Sequence, residues 1–180
     1  MTIPPYGDNV TQLSHPLTAF AKTAWIIPVR GSLPWTFCTP AVVLDDSEDN
    51  AVIVGKEGAL IQWTKTTLVK FWDFLKNVRE AGHMGQVGIS FQVATPRERG
   101  ESWLSAEVIH EPTNSAHGEL SLPLSSLDYV KVYHKASSAM GLRNILDAWA
   151  YVCPDGRKSR VLKGSRLALV DERCRGILVS

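Results

Sequence analysis

Residues 64–82 read TKTTLVKFWDFLKNVREAG, and this stretch decides the fold. Five large apolar residues recur there at the spacing of one helical face: Leu68, Phe71, Trp72, Leu75 and Val78. Threonines in the first turn can cap the amino end of the helix, and Gly82 can end it in the left-handed conformation. The stretch therefore predicts a central helix over about residues 64–81, and its broad apolar face needs a sheet as a partner.

Most other apolar segments are short and are bounded by turn residues, which is typical of strands. They predict strands at residues 24–29, 41–44, 51–54, 59–63, 86–94, 103–110 and 127–134. Pro28 cannot donate a hydrogen bond to a ladder, so it predicts an edge position or an early end for the first of these strands. Short polar loops predict that 41–44 forms a hairpin with 51–54, and that 86–94 pairs with 103–110.

A second, shorter helix is predicted over about residues 138–149, where apolar residues again recur at helical spacing. Turn signals after it divide the C-terminal segment into short strands. The sequence thus predicts one α+β domain over residues 1–180. We expect a mostly antiparallel twisted sheet, or a partly open barrel, packed on the central helix and followed by a C-terminal β-meander. Residues 1–18 are expected to form a loop-like N-terminal arm, and residues 150–180 basic hairpins.

The composition, 44% hydrophobic and 21% charged, is ordinary for a globular protein. No apolar run approaches the ~20 residues that cross a membrane, and the amino end lacks the pattern of a secretory signal. We therefore expect a cytoplasmic protein with no membrane partner. Three widely spaced cysteines without a CxxC pair predict buried, reduced thiols. No phosphate-binding glycine motif or GxSxG elbow is present, so no cofactor is expected.

The net charge of +1 hides an excess of positive charge at the C-terminal end, where residues 131–180 hold ten Lys/Arg and four Asp/Glu. Seven of these basic residues lie within 157–175: Arg157, Lys158, Arg160, Lys163, Arg166, Arg173 and Arg175. Lys158 and Arg160 are two apart on a predicted strand, so they project to the same side. Trp149, Tyr151 and Tyr133 are near in sequence and could stack on bases. The pattern predicts a non-enzymatic protein that binds single-stranded DNA or RNA through this basic hairpin surface.

Two other functions stay open on the sequence. The chain could be a protein-interaction or inhibitor module, or a homo-oligomer, that uses sheet edges and exposed tryptophans such as Trp35 and Trp103. It could instead be a metal-dependent hydrolase or nuclease that uses His110, His117 and a nearby carboxylate such as Glu119. The spacing of these residues matches no known metal motif, so no metal ion is expected and a non-enzymatic role is favoured.

Overall fold

The computed structural model describes residues 11–12, 18–45, 58–94, 124, 127–152, 156 and 158–180. Two helices are described, α1 (Lys65–Ala81) and α2 (Ala139–Ala148), and a 3₁₀ turn (Ala136–Ser138) leads into α2. The strands are β1 (Thr11–Gln12), β2 (Lys22–Arg30), β3 (Ala41–Leu44), β4 (Ile61–Thr64), β5 (Gly88–Gln92), β6 (Asp128–Lys135), β7 (Tyr151–Val152), β8 (Lys158–Ser159), β9 (Ala168–Asp171) and β10 (Gly176–Val179).

The main sheet has six strands in the order β1-β10-β9-β2-β6-β5, and every neighbouring pair in it is antiparallel. With α1 and α2 packed against it, this sheet confirms the predicted α+β class. The hairpins β7–β8 and β9–β10 confirm the C-terminal meander. Within the predicted loop-like N-terminal arm, Thr11–Gln12 form a short edge strand, β1, which pairs with β10.

The central helix agrees closely with the sequence prediction. Thr64 and Thr67 form a reciprocal cap, in which each backbone N–H donates to the other's side-chain oxygen, at 2.7 and 3.1 Å. Gly82 ends the helix with a φ of 69°. Phe71 and Leu75, at the centre of the predicted face, are fully buried. The second predicted helix is confirmed as α2.

Alternation along β2 divides the sheet into two faces. Trp25, Ile27 and Val29 point toward the helices and belong to the main apolar core. Trp25 Nε1 donates to the Ala139 carbonyl at 2.8 Å, which fixes α2 on this side. We call this side the helix face. The opposite side carries Ala24 and Ile26, and we call it the outer face.

One local prediction was wrong because of the way the strands pair. Strand β2 is central, not an edge, since it lies between β9 and β6. Pro28 is accommodated there because β9 pairs with β2 only from Thr23 to Ile26, so only β6 lies alongside Pro28. Strand β3 pairs in parallel with β4, a pairing that was not predicted. Its expected hairpin partner, 51–54, and the predicted strand at 103–110 lie outside the described residues.

Candidate functional site

The basic residues of the C-terminal segment are distributed over separate parts of the fold. Lys158 and Arg160 are exposed at the β7–β8 hairpin, and neither forms an ion pair with another described residue. Tyr151 packs against the main core from the other side of the same hairpin. Lys163 is exposed in the turn that follows. Arg157 lies outside the described residues.

Arg166 lies at the edge of the outer face and contacts neighbouring parts of the fold. Its guanidinium donates to Thr11 Oγ1 at 2.6 Å and sits 5.3 Å from the centre of the Phe37 ring. Its backbone N–H donates to Thr39 Oγ1 at 2.8 Å. These contacts join β1 and the loop before β3 to the start of β9. Arg166 therefore contacts other parts of the fold through its guanidinium, whereas Lys158 and Arg160 are exposed.

Arg173 and Arg175 lie in the turn between β9 and β10, where Asp171 organises the backbone. Asp171 Oδ1 accepts from the N–H groups of both arginines at 2.9 Å, and Arg175 Nε donates to Oδ2 at 2.8 Å. Burial acts to raise the pKa of Asp171, but the hydrogen bonds from Arg175 and Arg173 lower it overall. Arg175 is thus held by Asp171, whereas the Arg173 side chain is exposed.

Trp149 lies in the core and is only 8% exposed. Its ring is 4.9 Å from that of Phe71 and 6.3 Å from that of Trp63, measured between ring centres. A base could stack on Trp149 only if the residue left this cluster. Tyr151 is half-buried against the same core. The aromatic residues nearest to the basic hairpin in sequence are thus engaged in packing.

A different cationic surface lies where β2 begins and its antiparallel partner β6 ends. Lys22 and Lys135 are directly opposite each other in the antiparallel register, so their side chains leave the sheet on the outer face. Tyr133, two residues before Lys135, projects from the same face and is 41% exposed. Phe20, in the turn just before β2, is 82% exposed. These four residues define what we call the lysine–aromatic surface.

Hydrogen bonds hold the parts of this surface together. The Ala136 N–H donates to the Ala21 carbonyl at 2.9 Å, and the Ser137 N–H donates to the Ala19 carbonyl at 3.0 Å. These bonds fix the turn that carries Phe20 against the segment that follows Lys135. The Tyr133 ring lies over Gly88 on β5, the residue directly opposite it. Both aromatic residues therefore have a defined backbone position beside the lysine pair.

The two lysines of this surface repel each other, and this repulsion destabilises the fold when no anion is bound. Directly opposed side chains in an antiparallel pair are about 4.5–5.5 Å apart at Cβ, and like charges there are destabilising. No acidic side chain of the described residues forms an ion pair with Lys22 or Lys135. The exposed Arg173 side chain starts from the turn that follows β9, at the same end of the sheet. An anion bound there would relieve the repulsion.

A buried lysine lies next to this surface. Lys131 is only 7% exposed, and its Nζ donates to Cys174 Sγ at 2.9 Å and lies 4.9 Å from the centre of the Tyr133 ring. Burial acts to lower the pKa of Lys131, but the hydrogen bond and charge of Cys174, together with the charges of Tyr133 and Tyr129, raise this pKa overall. Burial chiefly raises the pKa of Tyr129, and the charge of Cys174 adds to the effect.

The sequence did contain a signal for this surface. Four residues of β6 alternate tyrosine with lysine on the outer face: Tyr129, Lys131, Tyr133 and Lys135. Period-two alternation of this kind places all four on one side of a strand. Its partner Lys22 could not be found in the same way, since the register of two distant strands is not written in either segment.

The other candidate sites of the sequence can be placed only in part. His110, His117 and Glu119, and with them Trp103, lie outside the described residues. Within the described part of the chain, no group of His, Cys, Asp and Glu could hold a metal ion. Trp35 is half-buried against the outer-face cluster, not fully exposed. Cys38 and Cys174 are free thiols, but both are half-buried, not buried as predicted.

Comparison of the chain with protein-family models, with curated proteins and with solved structures found no match. None of the described helices is long and apolar enough to span a membrane.

Proposed function

We propose that this chain binds single-stranded nucleic acid at the lysine–aromatic surface. The observation that carries the proposal is the directly opposed pair Lys22 and Lys135, which leaves the sheet without an ion-pair partner among the described residues and beside two exposed aromatic rings. Proteins that bind single strands combine cationic groups for the phosphates with aromatic rings for the bases. The proposed role is binding without a chemical step.

The two kinds of side chain would divide the work. Lys22 and Lys135 would neutralise phosphates, which gives affinity without sequence preference and makes binding sensitive to salt. Phe20 and Tyr133 would stack on bases, and each stacked base contributes about 1–3 kcal/mol in such proteins. Because stacking requires an unpaired base, a single strand is the expected ligand and a duplex should bind less well.

The exposed pair Lys158 and Arg160 is the competing surface. It belongs to the basic C-terminal hairpin for which the sequence-based hypothesis predicts contact with nucleic acid, and its cations also lack ion-pair partners among the described residues. It has no exposed aromatic ring of its own, since Tyr151 packs inward. We therefore favour the lysine–aromatic surface and use Lys158 and Arg160 as a matched control.

The test is fluorescence anisotropy of a labelled oligothymidylate, titrated with the full chain at several salt concentrations. The variant K22E/K135E reverses two charges at the lysine–aromatic surface. The variant K158E/R160E also reverses two charges, but at the β7–β8 hairpin. The first should abolish detectable binding, and the second should weaken it only slightly. Neutralising Lys22 and Lys135 as K22Q/K135Q should make the slope of log K against log salt shallower by about 1.4, since each phosphate contact on a single strand contributes ~0.7.

The outcomes separate the hypotheses. Loss of binding in K158E/R160E but not in K22E/K135E would transfer the function to the C-terminal hairpin. Absence of any binding by the unmodified chain at low salt would refute nucleic-acid binding altogether. F20A tests stacking separately from charge, because Phe20 is exposed and its loss should leave the fold intact. Its affinity should fall between about 5-fold and 150-fold, which corresponds to one stacked base.

A further inference from the structure

We propose that Cys174 is a site of reversible oxidation, and that the amine of Lys131 captures the oxidised sulfur to form a covalent S–N bond. The bond, a sulfenamide, would join the centre of β6 to the turn between β9 and β10. The oxidant required is a peroxide, of which hydrogen peroxide is the simplest. The proposal concerns the protein alone and does not depend on nucleic-acid binding.

The geometry places the two reacting atoms in contact. Lys131 Nζ and Cys174 Sγ are 2.9 Å apart, so an S–N bond can form directly between them. Lys131 is nearly buried, so its amine has little freedom to turn away from the sulfur. Cys174 is half-buried, so a small oxidant can reach it. The packing around Lys131 thus holds its amine within reach of the oxidised sulfur of Cys174.

The backbone at Cys174 has an unusual conformation. Its φ is 60°, in the left-handed region that favours glycine, and only one other non-glycine residue in the described part of the chain, Phe37, shares this feature. The turn residues are fixed by Asp171, which accepts hydrogen bonds from the N–H groups of Arg173 and Arg175 on either side of Cys174. The turn therefore holds the sulfur over Lys131 at some conformational cost.

The surroundings favour reaction over a simple ion pair. Among the residues that the structure describes, the side chains whose charges act on Lys131 are Cys174, Tyr133 and Tyr129, and none of them is a carboxylate. A carboxylate partner would hold the amine protonated and compete with the sulfur for its position. Here the buried amine has the thiol as its direct partner, at hydrogen-bond distance.

The chemistry balances in two steps. The sulfur of Cys174 attacks one oxygen of hydrogen peroxide, the O–O bond breaks, and a sulfenic acid (S–OH) and water result. The neutral amine of Lys131 then attacks the sulfur, the S–OH bond breaks, and a second water leaves as the S–N bond forms. The net change consumes one thiol, one amine and one peroxide and yields one S–N bond and two waters. Two molecules of an added thiol reverse it and become a disulfide.

Oxidation of Cys174 favours the neutral form of the Lys131 amine. In the reduced protein burial acts to lower the pKa of Lys131, and the interactions with Cys174 more than offset it. Oxidation replaces the thiol by a sulfenic acid and so removes the interactions with Cys174 that raise the pKa of Lys131. Burial then favours the neutral amine, which is the form that attacks sulfur.

Cys38 provides an internal comparison. Burial raises the pKa of Cys38 to about 12, although the charge of Arg166 acts in the opposite direction. Its thiolate is therefore scarce at neutral pH, and the thiolate is the reactive form. No amine is found within hydrogen-bond distance of Cys38 among the described residues. Cys38 should accordingly stay reduced while Cys174 reacts.

The experiment treats the full chain, in a C153S background, with hydrogen peroxide and measures its intact mass and its digested peptides. The expected product has lost two hydrogens, carries a cross-link between the peptides of Lys131 and Cys174, and returns to the starting mass with dithiothreitol. The control K131R keeps the positive charge but offers a poor nucleophile. It should instead gain one oxygen and react with dimedone, a reagent for sulfenic acids.

Three results would overturn the proposal. The unmodified chain could take up dimedone as fast as K131R, it could cross-link through a lysine other than Lys131, or Cys174 could remain reduced at peroxide levels that oxidise free cysteine. A thermal melt of K131R before treatment shows whether the variant is folded. If it is not, the position of the cross-link in the unmodified chain decides by itself.

Discussion

The substitution K22E should stabilise the fold while it weakens the proposed function. In the present sheet Lys22 and Lys135 are directly opposed, and reversal of one charge turns the repulsion into attraction. An opposite-charge pair at such a position contributes about 0.2–1 kcal/mol, and a like-charge pair costs a similar amount. Both side chains are exposed, so screening by water and salt holds the gain toward the lower part of the combined range. We expect K22E to raise the free energy of unfolding by about 0.5–1 kcal/mol.

The assay is urea unfolding at low and at high salt, with a charge cycle of three variants. K135E should give the same gain as K22E, because either change creates one opposite-charge pair. The double variant K22E/K135E restores a like-charge pair, now of two carboxylates, and should return to the stability of the unmodified chain. The gains of the single variants should shrink in high salt.

A control and a clear refutation complete this test. K158E reverses a charge that faces Val152 and not another lysine, so its stability should change by less than about 0.5 kcal/mol. The reasoning fails if K22E and K135E each leave stability unchanged, or if their effects simply add in the double variant. Either result would mean that Lys22 and Lys135 are not neighbours, and the lysine–aromatic surface would lose its basis.

Two further predictions concern the frame of the molecule. G58A should destabilise the fold by about 1–3 kcal/mol more than G82A in urea unfolding, because its added Cβ would clash with the backbone carbonyl oxygen of Gly164, an overpacked contact. Both glycines have positive φ, but nothing lies within 4 Å of a Cβ at Gly82, so equal losses would contradict the close approach. For His134, burial lowers the pKa below its ordinary 6.5, against the hydrogen bond to the Lys135 carbonyl. The unfolded chain then binds the proton first, and stability should fall as the pH falls below 6.5, whereas H134Q, followed by the same unfolding measurement, should lose this part of the pH dependence.

The elements that depend on local sequence could be predicted, and the central helix shows why. The Thr64 cap, the apolar face and the Gly82 stop all lie within nineteen consecutive residues, so spacing alone specifies them. The same holds for α2 and for the strand character of β2 and β6. Each of these segments carries its own period, and the period survives whatever lies beside it.

Pairing between distant segments could not be predicted from the same signals. Pro28 suggested an edge strand because proline lacks an N–H, but the sheet accommodates it by ending the pairing with β9 at Ile26. The parallel pairing of β3 with β4 likewise could not be predicted from the sequence of either segment. In both cases the deciding interaction comes from a strand whose position is set by the whole fold.

The candidate site shows the same division between local and distant information. The alternation of tyrosine and lysine on β6 is local and readable, whereas its meaning depends on Lys22 from one distant strand and on Cys174 from a distant turn. Density of charge along the chain pointed to residues 157–175, but the fold separates those residues and joins others. Which cations lie side by side depends on the pairing register of the strands. For short strands that are distant in the chain, the sequence alone does not determine this register.

Tyr133 connects the two proposals made for the outer face, because its ring lies beside Lys131 and its position is two residues from Lys135. Formation of the S–N bond would remove the positive charge of Lys131 without disturbing the Lys22–Lys135 pair. Oxidation should therefore weaken binding less than K22E/K135E does, since Lys131 is buried and cannot reach a phosphate directly. If oxidation instead abolished binding while the lysine pair stayed intact, Lys131 would have to be accessible to the ligand. The outer face would then open on binding, and the buried amine would belong to the binding site itself.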